Sequence, residues 1–322
     1  MNKKWAFLFP GQGAQYVGMG KDFYEQFSSA REVFDLADEF LKRPFSQLIF
    51  NGPQEELTLT KNSQLAIFIT SFAILSVVRE QFPDLRPQIT AGLSLGEYTA
   101  LTAAEKMEFL ECLDLVRTRG EAMHAACEET KGSMQVVLGM APEAVQAVID
   151  AHAMNDVCVA NLNCPGQVVI PGTYEALAAA ADALKAGGAK RVLPLDVAGA
   201  FHSKLMRSAQ EKLAAKIKDV PFQQSPIDVV MNVPGDLVFS EEVMRRVLID
   251  QVSSPVLWEK GIRKMVELDV DAYLEMGPGK TLAGMNKRIG VAQPICSIEK
   301  VSDLEELRKV IETVEAYAAI ES

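Results

Sequence analysis

The chain is short of the residues on which disulfide, zinc and nucleic-acid chemistry depend. It has five cysteines, Cys112, Cys127, Cys158, Cys164 and Cys296, an odd number with no CxxC pair. A disulfide framework or a zinc site is therefore not expected; reduced, mostly buried thiols are. Basic excess is missing too: 32 Lys and Arg face 43 Asp and Glu, for a net charge of -11. That excludes the electrostatic footprint of a duplex-binding protein, and it opposes an acidic partner unless a local basic patch exists. No stretch approaches membrane-spanning length, and the opening "MNKKWAFLFPGQG" has too short an apolar run for a signal sequence despite its two lysines. A cytoplasmic protein is expected. What remains is ordinary globular composition, 48% hydrophobic and 23% charged over 322 residues, enough for one large domain or a large and a small one.

Strand, glycine turn and helix recur through the first part of the chain. "KKWAFLFP" reads as a strand stopped by Pro10 and Gly11, and helical spacing runs from about Met19 into "REVFDLADEFL". "QLAIFITSFAILSVVREQF" is apolar nearly all round and reads as a buried helix. "PQITAG" is a short strand ending at Ser94, followed by the helical segments "EYTALTAAE" and "FLECLDLVRTRGEAMHAAC". The pattern is α/β with a mainly parallel sheet. The middle differs. "GSMQVVLGM", "APEAVQAVIDAHA", two strands around the "NCPG" turn, "TYEALAAAADALKAGGA" and "KRVLPLDV" follow in the order β-α-β-β-α-β. That is the split ferredoxin-like unit, and residues 127–198 are expected to form it as an insertion between 1–126 and 199–322. Another strand and turn follow at "VDAYLEMGP".

Ser94 lies in "GLSLG", between Gly92 and Gly96 at a strand-to-helix corner. The plain account is a tight turn. The chemical account is a nucleophile on a strained elbow, where neighbouring side chains would clash. A serine hydroxyl needs a base, and the chain offers only His124, His152 and His202. His124 and His152 fall in helical patterns among alanines, where a surface or satisfied side chain is the ordinary state. His202, in "VAGAFHSKLM", follows the inserted unit in a junction loop and is the candidate base. "FPGQGAQ" is not a dinucleotide fingerprint, because the third glycine would fall at Tyr16. It is either a simple β-α turn or a place where the backbone and Gln12 approach a developing oxyanion. "MGPGKTL" is not a P-loop, because the required glycine would fall at Leu274. Arg117 and Arg119 sit on the helix after the serine helix. Either is an ordinary solvated charge, or one of them faces the serine and grips a carboxylate bidentately.

These pieces, in this order, resemble the malonyl-CoA:acyl carrier protein transacylases and the related acyltransferase domains of fatty acid and polyketide synthases. The likeness is carried by "FPGQGAQ", "GLSLGEYTAL", "RTRGEAM", "NCPGQVVIPG", "GAFHSKLM", "QVSSPVLW" and "EMGPGKTLAG", spread over nearly the whole chain. It implies an α/β-hydrolase-like large domain with a parallel sheet and an inserted ferredoxin-like domain. Malonyl would pass from malonyl-CoA to the phosphopantetheine thiol of a carrier protein in fatty acid biosynthesis. Ser94 would be the acyl-accepting nucleophile, His202 its base and Arg119 the grip on the malonyl carboxylate. Gln12 and the amide of Leu95 would serve the oxyanion, and the main-chain carbonyl of Gln251 would orient His202 in place of an acid. No metal or nucleotide cofactor is implied, since phosphopantetheine belongs to the carrier.

One position departs from the pattern: Leu93 stands where the family usually has His, a place that bears on substrate selection and not on the base. Phe201 before His202 agrees with the malonyl-type pattern. A serine hydrolase or thioesterase on the same elbow, and a carrier-binding module that has lost activity, are the competing readings. Because carriers of this kind are acidic, a local basic rim is expected, drawn from Lys190, Arg191, Lys204, Arg207, Lys287 and Arg288.

Overall fold

The computed structural model describes residues 3–321; Met1 and Asn2 of the N-terminal stretch, and Ser322, lie outside the described residues. Among the described residues ten strands form, in chain order β1 (Trp5–Phe9), β2 (Pro87–Gly92), β3 (Gly132–Leu138), β4 (Asn161–Cys164), β5 (Gln167–Thr173), β6 (Arg191–Pro194), β7 (Asp228–Met231), β8 (Asp236–Leu237), β9 (Ala272–Met276) and β10 (Ile295–Ile298). They divide into a six-stranded sheet in the order β10-β9-β1-β2-β7-β8 and a four-stranded sheet in the order β4-β5-β3-β6. The large sheet is parallel except for its edge strand β8, which runs antiparallel to β7.

Every residue of β1 is buried, which is why its sequence is an unbroken apolar run. Its alternation sorts the two faces. Trp5, Phe7 and Phe9 pack with the helix Thr60–Gln81, while Ala6 and Leu8 pack with Trp258, Ile262 and Met285 from the helices Trp258–Glu267 and Thr281–Ile289. The sheet is thus covered on both sides, and its parallel strands end on one edge. The turns after β1, β2, β7 and β9 converge there, as open α/β sheets that carry sites require.

The helix Thr60–Gln81 corrects one expectation. It has 22 residues and the mean hydropathy of a membrane span, so a stretch of spanning length does exist. Yet 83% of its most apolar window is buried inside the protein, which makes it the central core helix. The short strands β7, β8 and β10 were not legible as strands: at two to four residues they show no period, and unlike the equally short β4 and β6 they are not framed by the turns and helices of a βαββαβ order.

In the small sheet, neighbouring strands are antiparallel throughout, and the helices Pro142–Ala151 and Tyr174–Ala186 complete a βαββαβ unit. Val137, Val168 and Ile170 face those helices; Met134, Val136 and Val169 face the large unit. Backbone bonds stitch the units together: the Val256 amide donates to the Ala160 carbonyl at 2.7 Å and the Leu162 amide to the Val256 carbonyl at 3.0 Å. We propose 1–126 with 199–322, and 127–198, as the two units. The helix Phe109–Thr130 runs across the first of these boundaries.

Candidate active site

At the end of β2 the chain turns through Ser94, whose φ of 52° lies in the left-handed region that a serine adopts only under constraint. Both flanking glycines are sterically required. A Cβ on Gly92 would stand 1.9 Å from the Gly96 carbonyl group, and one on Gly96 would stand 2.1 Å from the Phe9 oxygen. A Cβ on Gly11 would meet the Leu93 oxygen at 2.5 Å, so the turn after β1 is pressed against the elbow. The amides of Gln12 and Leu95 have no hydrogen-bond partner among the described residues, and Leu95 is the N-cap of the helix Gly96–Ala103. Free amides at a helix N-terminus suit a developing negative charge.

Ser94 Oγ lies 2.8 Å from His202 Nε2, and His202 Nδ1 lies 2.8 Å from the main-chain oxygen of Gln251. A carbonyl only accepts, so Nδ1 carries the proton and Nε2 is left free to accept from the serine. His202 also has a positive φ, 58°, and only 4% of its surface is exposed. Burial, then the nearby Arg119 charge, push its pKa down to about 4. The imidazole is therefore neutral at neutral pH, the form a base needs.

Arg119 is fully buried. Its Nη2 donates to Ser94 Oγ at 3.1 Å and to Gln251 Oε1 at 3.0 Å, and its Nη1 donates to Gln64 Oε1 at 2.6 Å. Its Nε has no partner, and no carboxylate forms an ion pair with it among the described residues. Arg117, two positions earlier, points away on the helix: it pairs with Asp114 and lies over the Phe40 ring. The choice between the two arginines is a matter of which side of the helix faces Ser94. His124 and His152 lie elsewhere, His152 with its Nδ1 2.9 Å from the Val148 oxygen.

Three side chains of the site carried no recognisable signal in the sequence. Asn232, just after β7, accepts from the Ser94 amide and donates to the Gly92 carbonyl, both at 2.7 Å. Glu97, fully buried, accepts from the Asn232 amide at 2.6 Å and from Gln251 Nε2. Burial pushes its pKa up, while two N–H donors on its two oxygens and the nearby Arg119 charge pull it down and favour the carboxylate. Gln64 links Arg119 to Gln12, whose Oε1 accepts from Gln64 Nε2 at 3.3 Å. Asn232 was a lone polar letter among Val229, Val230, Met231 and Val233, the one clue available; Gln64 ends a polar stretch and Glu97 follows the elbow glycine, so neither stood out.

A cleft of about 260 Å³ opens over Ser94 and His202. Gln12 and Leu93 line it from the large unit; Met134, Val136 and Val169 line it from the small sheet. Phe201 also lines it. The six basic residues expected at the rim are all exposed. Lys204 is paired with Asp156 at 3.0 Å, and Arg288 donates to Gln167, a cleft residue, at 2.8 Å. Among the described residues no cluster of His, Cys, Asp or Glu could hold a metal ion, and all five cysteines are free.

Residues 6–308 match the model of the acyl transferase domain family. The chain belongs to that family. Among its relatives it is 43% identical over 313 residues, 97% of each chain, to the malonyl CoA-acyl carrier protein transacylase of Bacillus subtilis. It is 39% identical to the enzyme of that name from Haemophilus influenzae, over 89% of this chain and 92% of the other. The crystal structure of the Clostridium perfringens transacylase superposes with a TM-score of 0.93 at 36% identity, covering 98% of this chain and 99% of that one. A malonyl-transacylase solved in complex with a type II polyketide synthase acyl carrier protein gives 0.90 at 36% identity, covering 98% and 100%. This acyl transferase therefore shares the two-sheet architecture of those enzymes along its whole length.

Proposed function

We propose that this acyl transferase carries a malonyl group from malonyl-CoA to the phosphopantetheine thiol of an acyl carrier protein, through a malonyl-Ser94 intermediate, in fatty acid biosynthesis. The observation that carries the proposal is the buried Arg119 guanidinium, 3.1 Å from Ser94 Oγ and with one N–H unpartnered. A malonyl thioester has its free carboxylate one methylene from the reacting carbonyl, so a carboxylate at Arg119 brings that carbonyl to Ser94. A charge-assisted bond there, in a dry site, discriminates against acyl groups that lack the carboxylate.

In the mechanism, His202 Nε2 takes the Ser94 proton as Oγ bonds to the thioester carbon. The oxyanion is met by the amides of Leu95 and Gln12. The carbon–sulfur bond breaks, and the CoA thiolate takes the proton from His202. The carrier thiol then attacks malonyl-Ser94 by the same steps in reverse, giving malonyl-carrier and free Ser94. The malonyl carboxylate also offsets the Arg119 charge, the second of the two influences that depress His202, so the right substrate strengthens the base. The reaction as written uses no metal or nucleotide. A cytoplasmic location goes with its soluble partners. Lys190, Arg191, Lys204, Arg207, Lys287 and Arg288 form the rim that meets the acidic carrier, and the 2.8 Å bond from Arg288 to Gln167 supports placing that pair at the cleft.

A hydrolase would share Ser94 and His202 but has no use for a buried cation beside them. Intact mass after brief exposure to malonyl-CoA tests the proposal. One malonyl adduct, lost on adding carrier and gained by it, is expected. An adduct lost to water at the same rate without carrier identifies a hydrolase, and no adduct defeats both readings.

A further inference from the structure

We propose that Glu97 is a positioning residue for malonyl selection: its carboxyl sets the orientation of the Gln251 side-chain amide, and through that amide it holds Arg119 beside Ser94. The inference rests on the malonyl reading above. Glu97 is fully buried in the helix Gly96–Ala103, the one charged residue of that helix, between a glycine and a tyrosine. Among the described residues it forms no ion pair that would offset its desolvation. What it offers is two acceptor oxygens. Oε1 accepts from the Asn232 amide at 2.6 Å, and the Asn232 side chain clamps the elbow at both Gly92 and Ser94. Oε2 accepts from Gln251 Nε2, which also donates to the Ser94 carbonyl at 2.9 Å.

An amide has one accepting and one donating end. With its nitrogen drawn to Glu97 and the Ser94 carbonyl, Gln251 must turn Oε1 toward Arg119, where it accepts at 3.0 Å. The flipped amide would set N–H against N–H in a buried site and leave Arg119 Nη2 short of an acceptor. Glu97 thus joins the nucleophile's elbow to the guanidinium's rotamer through one carboxyl group. An amide at position 97 cannot do the same, because one of its two ends must confront a donor.

The test compares Glu97→Gln, Glu97→Asp and Asn232→Ala, with rates of Ser94 acylation from malonyl-CoA and acetyl-CoA read by intact mass, and folding by thermal denaturation. Glu97→Gln is expected to lose malonylation by roughly tenfold or more and acetylation by much less, the scale of one disordered charge-assisted bond. The malonyl preference therefore falls, with the loss mainly in KM for malonyl-CoA. Asn232→Ala frees the elbow and slows both acyl groups alike, leaving the preference unchanged. Glu97→Asp offers only acceptors and keeps the preference within about twofold of wild type, and it carries the test alone if Glu97→Gln does not fold. Equal loss of both acyl groups in Glu97→Gln, or a preference lost in Glu97→Asp, overturns the inference while leaving the malonyl reading intact. A wild-type protein that takes no malonyl on Ser94 overturns both.

Discussion

The two sheets meet at one cleft and contribute opposite things to it. The unit built on the parallel sheet supplies the polar groups: Ser94 and His202 with positive φ, the free amides of Gln12 and Leu95 after strands β1 and β2, and the buried chain of Gln64, Arg119, Gln251 and Glu97 from helices with Asn232 after β7. The antiparallel sheet supplies an apolar wall, Met134, Val136 and Val169, from the face that alternation turns toward the cleft. The difference has a physical cause. Parallel strands end together, so several turns and a helix N-terminus aim backbone groups at one place. An antiparallel face presents side chains with period two, and its backbone donors and acceptors are spent on the ladder. Chemistry therefore sits on the first sheet, and shape and access on the second.

The comparison breaks most easily at the elbow. Ser94→Ala is expected to abolish the malonyl adduct with the fold intact, and His202→Ala to slow loading and transfer by roughly 10²–10⁴-fold, the usual range for a lost general base. Normal turnover by either protein would remove the assigned pair. Arg119→Ala comes next: it is expected to cost malonyl transfer about 2–3 kcal/mol more than acetyl transfer, since only malonyl presents a carboxylate. An equal loss for both acyl groups makes Arg119 a packing residue.

pH sharpens the contrast further. The unfolded imidazole of His202 titrates at 6.5 and the buried one at about 4. Between those values the unfolded chain binds more protons, so stability falls as pH drops from 6.5 through 4, by about 3 kcal/mol from this group. Loading rate against pH is expected to keep a neutral base down to about 4, and an acid limb near 6.5 would show that His202 is solvated or is not the base.

In the small sheet the effects shrink. Met134→Ala is expected to cost about 2 kcal/mol of stability and to raise KM for malonyl-CoA a few-fold with kcat nearly unchanged. A fall in kcat equal to that of a site residue would mean the wall takes part in the chemistry. Charge reversal at Arg191, Arg207 and Arg288 is expected to have the smallest effect, slowing carrier transfer at low salt and leaving loading alone. Unchanged carrier kinetics at low salt would move the docking surface elsewhere.

Much of this was legible in residue order. The apolar run of β1, the βαββαβ order of the insertion and the glycines around Ser94 are local signals, because strand period, turn chemistry and steric need act over a few neighbours. The motifs in order also pointed to the family. The buried helix Thr60–Gln81 was also read from its all-round apolar run, though its spanning length was missed; less legible were the short strands β7, β8 and β10.

The sequence by itself determined the βαββαβ order of the insertion, the elbow at Ser94 and the short list of bases. The resemblance had already named Arg119 and the Gln251 carbonyl; only the tertiary structure showed their contacts with Ser94 and His202, and that Glu97, Asn232 and Gln64 belong to the site. The Glu97 bond to Gln251 spans 154 positions and the Asn232 bond to the Ser94 amide spans 138. No local pattern encodes such pairings, because the donors and acceptors are matched only when strand ends and helices far apart in the chain are packed around one edge of the sheet.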